Sequence, residues 1–215
     1  MVLERELAES KKEQEVFDFE HGYRRLSADI SASLGNESKV YAIAGGSGSG
    51  KSYLSERLAS LDPRILYINL DDFFTFPVLR GSEKDYDQLE SYQLEKANLC
   101  LHGLKRYRDV IKPVYKKEDN SHTKKSVRLQ KGGIIILEGI YALHHNVIAE
   151  VDLGVFLEAD TDLRFVRRVE RDKSFQSVKS VEAKWKFAEE AFIKYISETR
   201  KAADILIKNN VGLKP

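Results

Sequence analysis

The stretch that decides the fold is Val40-Tyr41-Ala42-Ile43-Ala44, followed by Gly45-Gly46-Ser47-Gly48-Ser49-Gly50-Lys51-Ser52. Its second part matches the pattern G-x-x-x-x-G-K-S/T, and it lies between an apolar, strand-like run and the helical pattern of Tyr53–Ala59. Glycines in this context let successive backbone amides converge on a phosphate, and the next helix adds the positive end of its dipole. The alternative is a flexible Gly/Ser loop, which does not require that context. We therefore predict a phosphate-binding loop over residues 45–52.

Two side chains at the end of this loop suit a nucleoside triphosphate. Lys51 is expected to reach the β- and γ-phosphates, and the Ser52 hydroxyl is expected to bind Mg²⁺, which usually takes only one or two protein ligands. A GTPase would be expected to carry an N-K-x-D motif, and none occurs in the chain. The predicted cofactors are therefore ATP and Mg²⁺.

Strand-like and helix-like patterns alternate along the rest of the chain. Strands are predicted at 65–68, 134–137, 151–157 and 204–207, and helices at 19–34, 88–112, 162–172 and 178–201. Residues 112–131 are polar and predict a loop or a small hairpin. This alternation favours an α/β fold with a mostly parallel five-stranded sheet and helices on both faces.

The first 39 residues precede the phosphate loop and its strand. Residues 1–20 sum to −4 and predict a solvated helix, whereas the apolar stripe from Phe19 to Leu34 predicts a packed helix that ends at Gly35. We therefore divide the chain into an N-terminal helical extension, residues 1–39, and a domain at 40–215. The extension could cover a sheet edge, support a homo-oligomer or contact a partner.

Composition limits the remaining function classes. The net charge of +1 provides no global field for nucleic acid or acidic membranes, and the basic segments 105–131 (+7) and 164–186 (+5) are attributed to the nucleotide itself. Cys100 is the single cysteine and cannot form an intramolecular disulfide. No signal pattern or long apolar run is present. We expect a cytoplasmic protein without a nucleic-acid or membrane partner.

Three carboxylates follow predicted strands. Asp71 and Asp72 come after residues 65–68, and Glu138 comes after residues 134–137. The carboxyl ends of parallel strands meet at one crevice, and a phosphoryl-transfer enzyme needs a carboxylate there to orient the attacking hydroxyl and accept its proton. A helix cap or solvated turn is the alternative for adjacent aspartates.

In this order and spacing, the motifs resemble those of the phosphoribulokinase/uridine kinase family of P-loop kinases. Asp71-Asp72-Phe73-Phe74 is similar to the family's D-S-F-Y, and Glu138-Gly139-Ile140-Tyr141-Ala142-Leu143 is similar to E-G-I-L-A-L. The resemblance implies a P-loop NTPase fold and extends over about residues 40–209. It also implies that Asp71 is the catalytic base, and that Ser52, Glu138 and Asp71 lie on the metal side.

Residues 157–172 resemble the D-x-D-x-x-R-x-x-R-R-x-x-R-D lid of the family, which implies a mobile lid near residues 164–177. The arginines of this segment span more than one helix face, so not all of them can reach one ligand. We expect Arg168 and Arg171 to lie over the phosphates and the substrate as catalytic residues, because guanidinium groups stabilise phosphoryl charge. A solvated basic helix is the alternative.

The substrate side matches the family less closely. Residues 85–92 resemble F-D-H-P-x-A-F-D, which implies that Asp87, next to Tyr86, binds acceptor hydroxyls. Tyr115 stands at a nucleobase-contact position, but Asn120 and His122 replace the family's His and Arg. The R-G-R element after the lid is replaced by Lys173-Ser174-Phe175-Gln176.

The resemblance implies a kinase for a small hydroxylated acceptor, with uridine or cytidine as the named acceptor. Because the base-reading residues differ, another riboside, pantothenate, glycerate or a sugar phosphate is an equal alternative. A hypothesis of a different class is a nucleotide-switched binding protein with little catalysis. A low, acceptor-independent ATPase rate would favour that hypothesis.

Overall fold

The computed structural model describes residues 14–212 without 82, 117, 118, 120 and 175. The strands of this part are β1 (Glu15–Asp18), β2 (Lys39–Gly45), β3 (Ile65–Asn69), β4 (Val78–Arg80), β5 (Glu83–Asp85), β6 (Val110–Lys116), β7 (Ser121–Val127), β8 (Ile134–Glu138), β9 (Leu153–Glu158) and β10 (Ile205–Lys208). Its α-helices are α1 (Phe19–Ser33), α2 (Lys51–Ala59), α3 (Leu94–Lys105), α4 (His145–Ile148), α5 (Thr161–Asp172) and α6 (Val178–Ala191). Within this part, no helix has the length and apolar character needed to cross a membrane.

A parallel sheet of six strands organises the described residues, in the order β1-β10-β9-β2-β8-β3. The prediction of an α/β fold with a mostly parallel sheet and helices on both faces is thereby confirmed. Apolar side chains of β2 alternate between the two faces. Val40, Ala42 and Ala44 pack in the core under α3, whereas Tyr41 and Ile43 pack in the core under α1 and α2.

The sheet has one strand more than expected because β1 pairs with the edge of β10. The prediction of a solvated helix over residues 1–20 is therefore wrong for Glu15–Asp18, and residues 1–13 lie outside the described residues. Val16 and Phe17 are strand-forming residue types. Their backbone groups form hydrogen bonds with β10, which an isolated, solvated helix would not provide. The Gln14 amide also donates to the Ala203 carbonyl oxygen at 2.8 Å.

Two predicted helices are shorter in the structure. In the segment 88–112, only Leu94–Lys105 is α-helical, because Tyr107 has a φ of 56° that ends the helix before β6. The strands β6 and β7 form the antiparallel hairpin expected for this region.

The predicted helix over 178–201 stops as an α-helix at Ala191 and continues as a π turn and a 3₁₀ turn. The Ser197 and Thr199 hydroxyls donate to the carbonyl oxygens of Ile193 and Ile196, in competition with the regular helical hydrogen bonds.

We expect Leu26→Ala to lower the free energy of unfolding by about 2–5 kcal/mol. Leu26 is a fully buried residue of α1 that packs against the sheet. Its truncation therefore leaves a cavity in the core between α1 and the sheet. Arg24→Ala removes an exposed side chain of the same helix and should change stability by less than about 0.5 kcal/mol. Urea denaturation measures both variants, and equal stability of the two would contradict this packing.

We expect the Cys100 thiol to react slowly in the folded protein. Cys100 is buried on α3, and its burial raises the pKa of the thiol to about 11. Lowering of the thiolate fraction alone should slow alkylation at pH 8 roughly 100-fold relative to the unfolded chain. Iodoacetamide labelling with and without urea measures the ratio. Similar rates in both conditions would show that α3 is not packed as described.

Candidate active site

The carboxyl ends of three neighbouring strands bring the predicted site together. Ile43 of β2 and Asn69 of β3 are both paired with Glu138 of β8. This register places the phosphate loop, the turn after β3 and the end of β8 at one edge of the sheet. A cavity of about 620 Å³ opens there, and Lys51, Asp71 and Glu138 line it.

The phosphate loop packs directly on neighbouring backbone and side chains. Gly48 and Gly50 have φ values of 78° and 99°, in the left-handed region that favours glycine. A Cβ atom at Gly48 would lie 2.3 Å from the Arg164 carbonyl oxygen, and one at Gly50 would lie 2.4 Å from Asn209 Nδ2. Both positions thus favour glycine for conformation, and at Gly48 the Arg164 backbone leaves no space for a side chain. The loop packs against α5 and against Asn209, the residue after β10.

Lys51 lies at the base of the cavity with only 7% of its surface exposed. Its Nζ donates to the Gly46 carbonyl oxygen at 3.1 Å. Burial lowers the pKa of Lys51, and the carboxylates of Glu138 and Asp71 oppose that shift. Glu138 is itself buried and accepts a hydrogen bond from the Tyr67 hydroxyl at 3.0 Å. The lysine therefore faces carboxylates, and phosphates would add further negative charge beside it.

The oxygen donors at this edge fit Mg²⁺ rather than a transition metal. No group of three or more His, Cys, Asp or Glu side chains in the described residues could hold a metal alone. Ser52, Asp71 and Glu138 supply a hydroxyl and two carboxylates around the cavity. Because Mg²⁺ keeps several waters and takes phosphate oxygens, such a partial ligand set suits it.

The adjacent aspartates Asp71 and Asp72 have different environments. Asp72 forms an ion pair with the buried Lys112 and accepts a hydrogen bond from the Tyr115 amide at 3.1 Å, so it attaches the turn after β3 to the β6–β7 hairpin. Asp71 lines the cavity instead. Its turn is fixed by the Asn69 side chain, which accepts from the Asp71 amide at 2.8 Å.

Arg164 is the most deeply buried arginine of α5, with 2% of its surface exposed. Its guanidinium donates to both carboxylate oxygens of Glu189, at 2.7 and 2.9 Å, and lies over the ring of Phe192. It also reaches the Ser47 carbonyl oxygen in the phosphate loop at 3.5 Å. No role was predicted for this residue. Its partner Glu189 lies 25 residues further along the chain, so no local pattern indicates the pairing.

The other three arginines of α5 all line the cavity, and Arg167 and Arg168 also contact the phosphate loop. Arg167 donates to the carbonyl oxygens of Gly48 and Asn209. Arg168 donates to the Ser47 hydroxyl at 2.6 Å and to Asp172 at 2.9 Å. Arg171 also contacts Asp172 but is more than half exposed, so it is free to turn toward a ligand. Both Arg168 and Arg171 line the cavity.

An aromatic cluster around Phe74 forms another part of the lining. The Phe74 ring centroid lies 5.8 Å from Tyr86, 5.6 Å from Tyr92 and 5.0 Å from Tyr115. Asp87 also lines the cavity, where burial raises its pKa and the Arg168 guanidinium opposes the shift. Phe74 and Tyr92 had no assigned role, since an aromatic residue near a motif carries no signal of its own.

His122, at one of the replaced base-reading positions, is not among the described residues that line the cavity. His122 Nε2 lies 2.6 Å from the Phe74 carbonyl oxygen, and its ring packs against Tyr115. Asn120 lies outside the described residues.

The family model described as "Phosphoribulokinase / Uridine kinase family" matches residues 79–211. The chain belongs to this family. The prediction of a P-loop kinase, a phosphotransferase that acts on a hydroxyl group, is thereby confirmed.

Individual relatives are similar over most of the chain. The uridine kinase of Lactobacillus helveticus is 27% identical over 181 residues, which are 78% of this chain and 85% of that protein. The mouse uridine-cytidine kinase-like 1 is 29% identical over 188 residues, which are 82% of this chain but 34% of the mouse protein. A structure titled as a possible uridine kinase of Bacillus stearothermophilus has a TM-score of 0.63 at 20% identity and covers 87% of this chain and 98% of its own. The structural likeness supports the fold.

We expect Glu189→Ala to lower the free energy of unfolding by about 3 kcal/mol or more, because it leaves the buried Arg164 without its counter-charge. Glu182→Ala removes an exposed carboxylate of the same helix and should change stability by less than about 0.5 kcal/mol. Urea denaturation at neutral pH compares the two. A loss no larger than that of Glu182→Ala would show that the buried guanidinium does not depend on Glu189.

Proposed function

We propose that the protein transfers the γ-phosphate of ATP, in the presence of Mg²⁺, to a hydroxyl group of a small molecule. The observation that supports this most directly is the meeting of Lys51, Asp71 and Glu138 with the phosphate loop around one cavity. Phosphoryl transfer requires mainly positioning and charge stabilisation, together with a carboxylate beside the attacking hydroxyl. The cavity offers each of these.

In the proposed reaction, the loop amides and Lys51 bind the phosphates of ATP. Mg²⁺, when held by Ser52, Glu138 and Asp71, would neutralise charge on the phosphate oxygens. Asp71 orients the acceptor hydroxyl and takes its proton. The new bond forms between the acceptor oxygen and the γ-phosphorus, the bond from that phosphorus to the bridging oxygen breaks, and ADP leaves with the electron pair. Arg168 and Arg171 stabilise the negative charge spread over the transferring group.

The acceptor binds on the side of Asp87 in this proposal. A carboxylate that faces the cavity can accept hydrogen bonds from sugar or polyol hydroxyls, and Tyr86 and Tyr115 supply apolar surface beside it. The names of the relatives favour a nucleoside such as uridine or cytidine. The position of His122, tied to the Phe74 backbone, favours a different acceptor.

We expect Asp71→Asn to lower kcat by about 10²- to 10⁴-fold, because the acceptor hydroxyl loses its base. Asp72→Asn is the matched control: it should lower the free energy of unfolding, since Lys112 loses its counter-charge, and keep kcat within tenfold. ADP release and the mass of the phosphorylated product are measured with a panel of nucleosides, hydroxy acids and sugar phosphates, beside Lys51→Ala as a variant with impaired ATP binding.

Two outcomes would contradict this assignment. If Asp72→Asn loses kcat and Asp71→Asn keeps it, the roles of the adjacent acids are reversed. If ADP forms slowly and at the same rate with and without every acceptor, the protein is a nucleotide-switched binding protein instead.

A further inference from the structure

One cation of the cavity has no part in the proposed phosphoryl transfer. Lys184 is half-buried on α6 and lines the cavity together with Gln176, which follows α5. Its Nζ lies 5.7 Å from the centroid of the Tyr86 ring, which is part of the aromatic cluster around Phe74. Lys184 therefore belongs to the acceptor side of the cavity.

Lys184 forms no ion pair within the described part of the chain. Its ammonium donates to the Gln176 Oε1 atom at 2.5 Å, so its hydrogen-bonding partner is a neutral amide. Three nearby carboxylates are paired elsewhere: Glu189 with Arg164, Glu190 with Arg80, and Asp172 with Arg168. Asp87 lines the same cavity but forms no ion pair with Lys184. The ammonium of Lys184 therefore lies at the acceptor side with no ion-pair partner among the described residues.

The side-chain amide of Gln176 adds a second, uncharged hydrogen-bond donor beside the ammonium of Lys184. Gln176 Oε1 accepts hydrogen bonds from both Lys184 and the Ser180 hydroxyl, at 2.5 and 3.3 Å. This leaves the Nε2 group as the end of the amide that can donate to a ligand. An ammonium and an amide N–H beside each other match two oxygens of one carboxylate or phosphate group.

We infer that the acceptor is anionic: a small hydroxylated molecule with a carboxylate or phosphate group that binds Lys184 and Gln176. The inference rests on the proposed function and names the substrate class of the same site. A bound acceptor displaces water from Lys184, and an oxyanion compensates for that loss better than a neutral carbonyl does. Asp87 holds the hydroxyl-bearing part, and the rings of Tyr86 and Tyr115 pack on the carbon skeleton.

The test compares charged and neutral acceptors directly. ADP release and product mass are measured with ATP and Mg²⁺ for uridine and cytidine, for the carboxylates D-glycerate and pantothenate, and for ribulose 5-phosphate. We expect an anionic acceptor to have a kcat/KM at least tenfold above both nucleosides, and the two anionic classes distinguish a carboxylate from a phosphate.

Variants connect that preference to Lys184. Lys184→Gln should raise the KM of the anionic acceptor roughly 10- to 100-fold, as expected for the loss of a charge-assisted hydrogen bond, while the KM for ATP stays within twofold. Lys184→Arg keeps the charge and should restore most of the binding. Lys186→Gln removes an exposed lysine of the same helix and should leave all constants unchanged.

The outcomes separate failure of this inference from failure of the proposed function. If uridine or cytidine is the better acceptor, or if Lys184→Gln and Lys186→Gln behave alike, the acceptor is not recognised by its charge, and the kinase function stands. If no compound is phosphorylated, the proposed function is contradicted and this inference is overturned with it. Should Lys184→Gln fail to fold, as judged by ATP binding in calorimetry, the preference of the wild-type protein decides alone.

Discussion

The buried guanidinium of Arg164 holds together the parts on which the cavity depends. It is surrounded by Glu189 of α6 and by Phe192, the residue after α6, and it reaches the phosphate loop at Ser47. A buried charge requires a complete set of partners, so α5, α6 and the loop have to keep one mutual arrangement. The close approach of Gly48 to the Arg164 backbone adds a steric constraint at the same point. The phosphate loop is thereby shaped by tertiary contacts as well as by its own glycines.

Ion pairing also separates supporting residues from cavity-lining residues among close neighbours in the sequence. Asp72 and Lys112 neutralise each other and attach the β6–β7 hairpin to the turn after β3, which leaves Asp71 at the cavity. In α5, Arg164 is buried against the loop, Arg167 and Arg168 both donate to the loop and line the cavity, and Arg171 lines the cavity. Residues of one type and one motif thus differ in whether they make supporting contacts or line the cavity.

How far the sequence predicts the structure depends on whether a feature is local. The phosphate loop, the strands around Ile43 and Ile135, and the positions of Asp71 and Glu138 follow from apolar runs and a motif with fixed spacing, and the architecture built on them is confirmed. The strand Glu15–Asp18 could not be predicted, because its partners in β10 lie 190 residues further along the chain. Tyr107 ends a helix through a φ of 56°, which its residue type does not indicate. The role of Arg164 likewise depends on Glu189, on another helix.

The acceptor side of the cavity is the part least determined by motifs, and its construction explains why. Phe74, Tyr86, Tyr115 and Lys184 come from four separate segments of the chain, and Lys184 belongs to no motif of fixed spacing. The sheet, the phosphate loop and the arginines of α5 can therefore stay the same while single side chains on this wall change. In the proposed reaction, phosphoryl transfer and acceptor binding are therefore separable: the first depends on the common edge of β2, β3 and β8, and the second on a few side chains of the acceptor side.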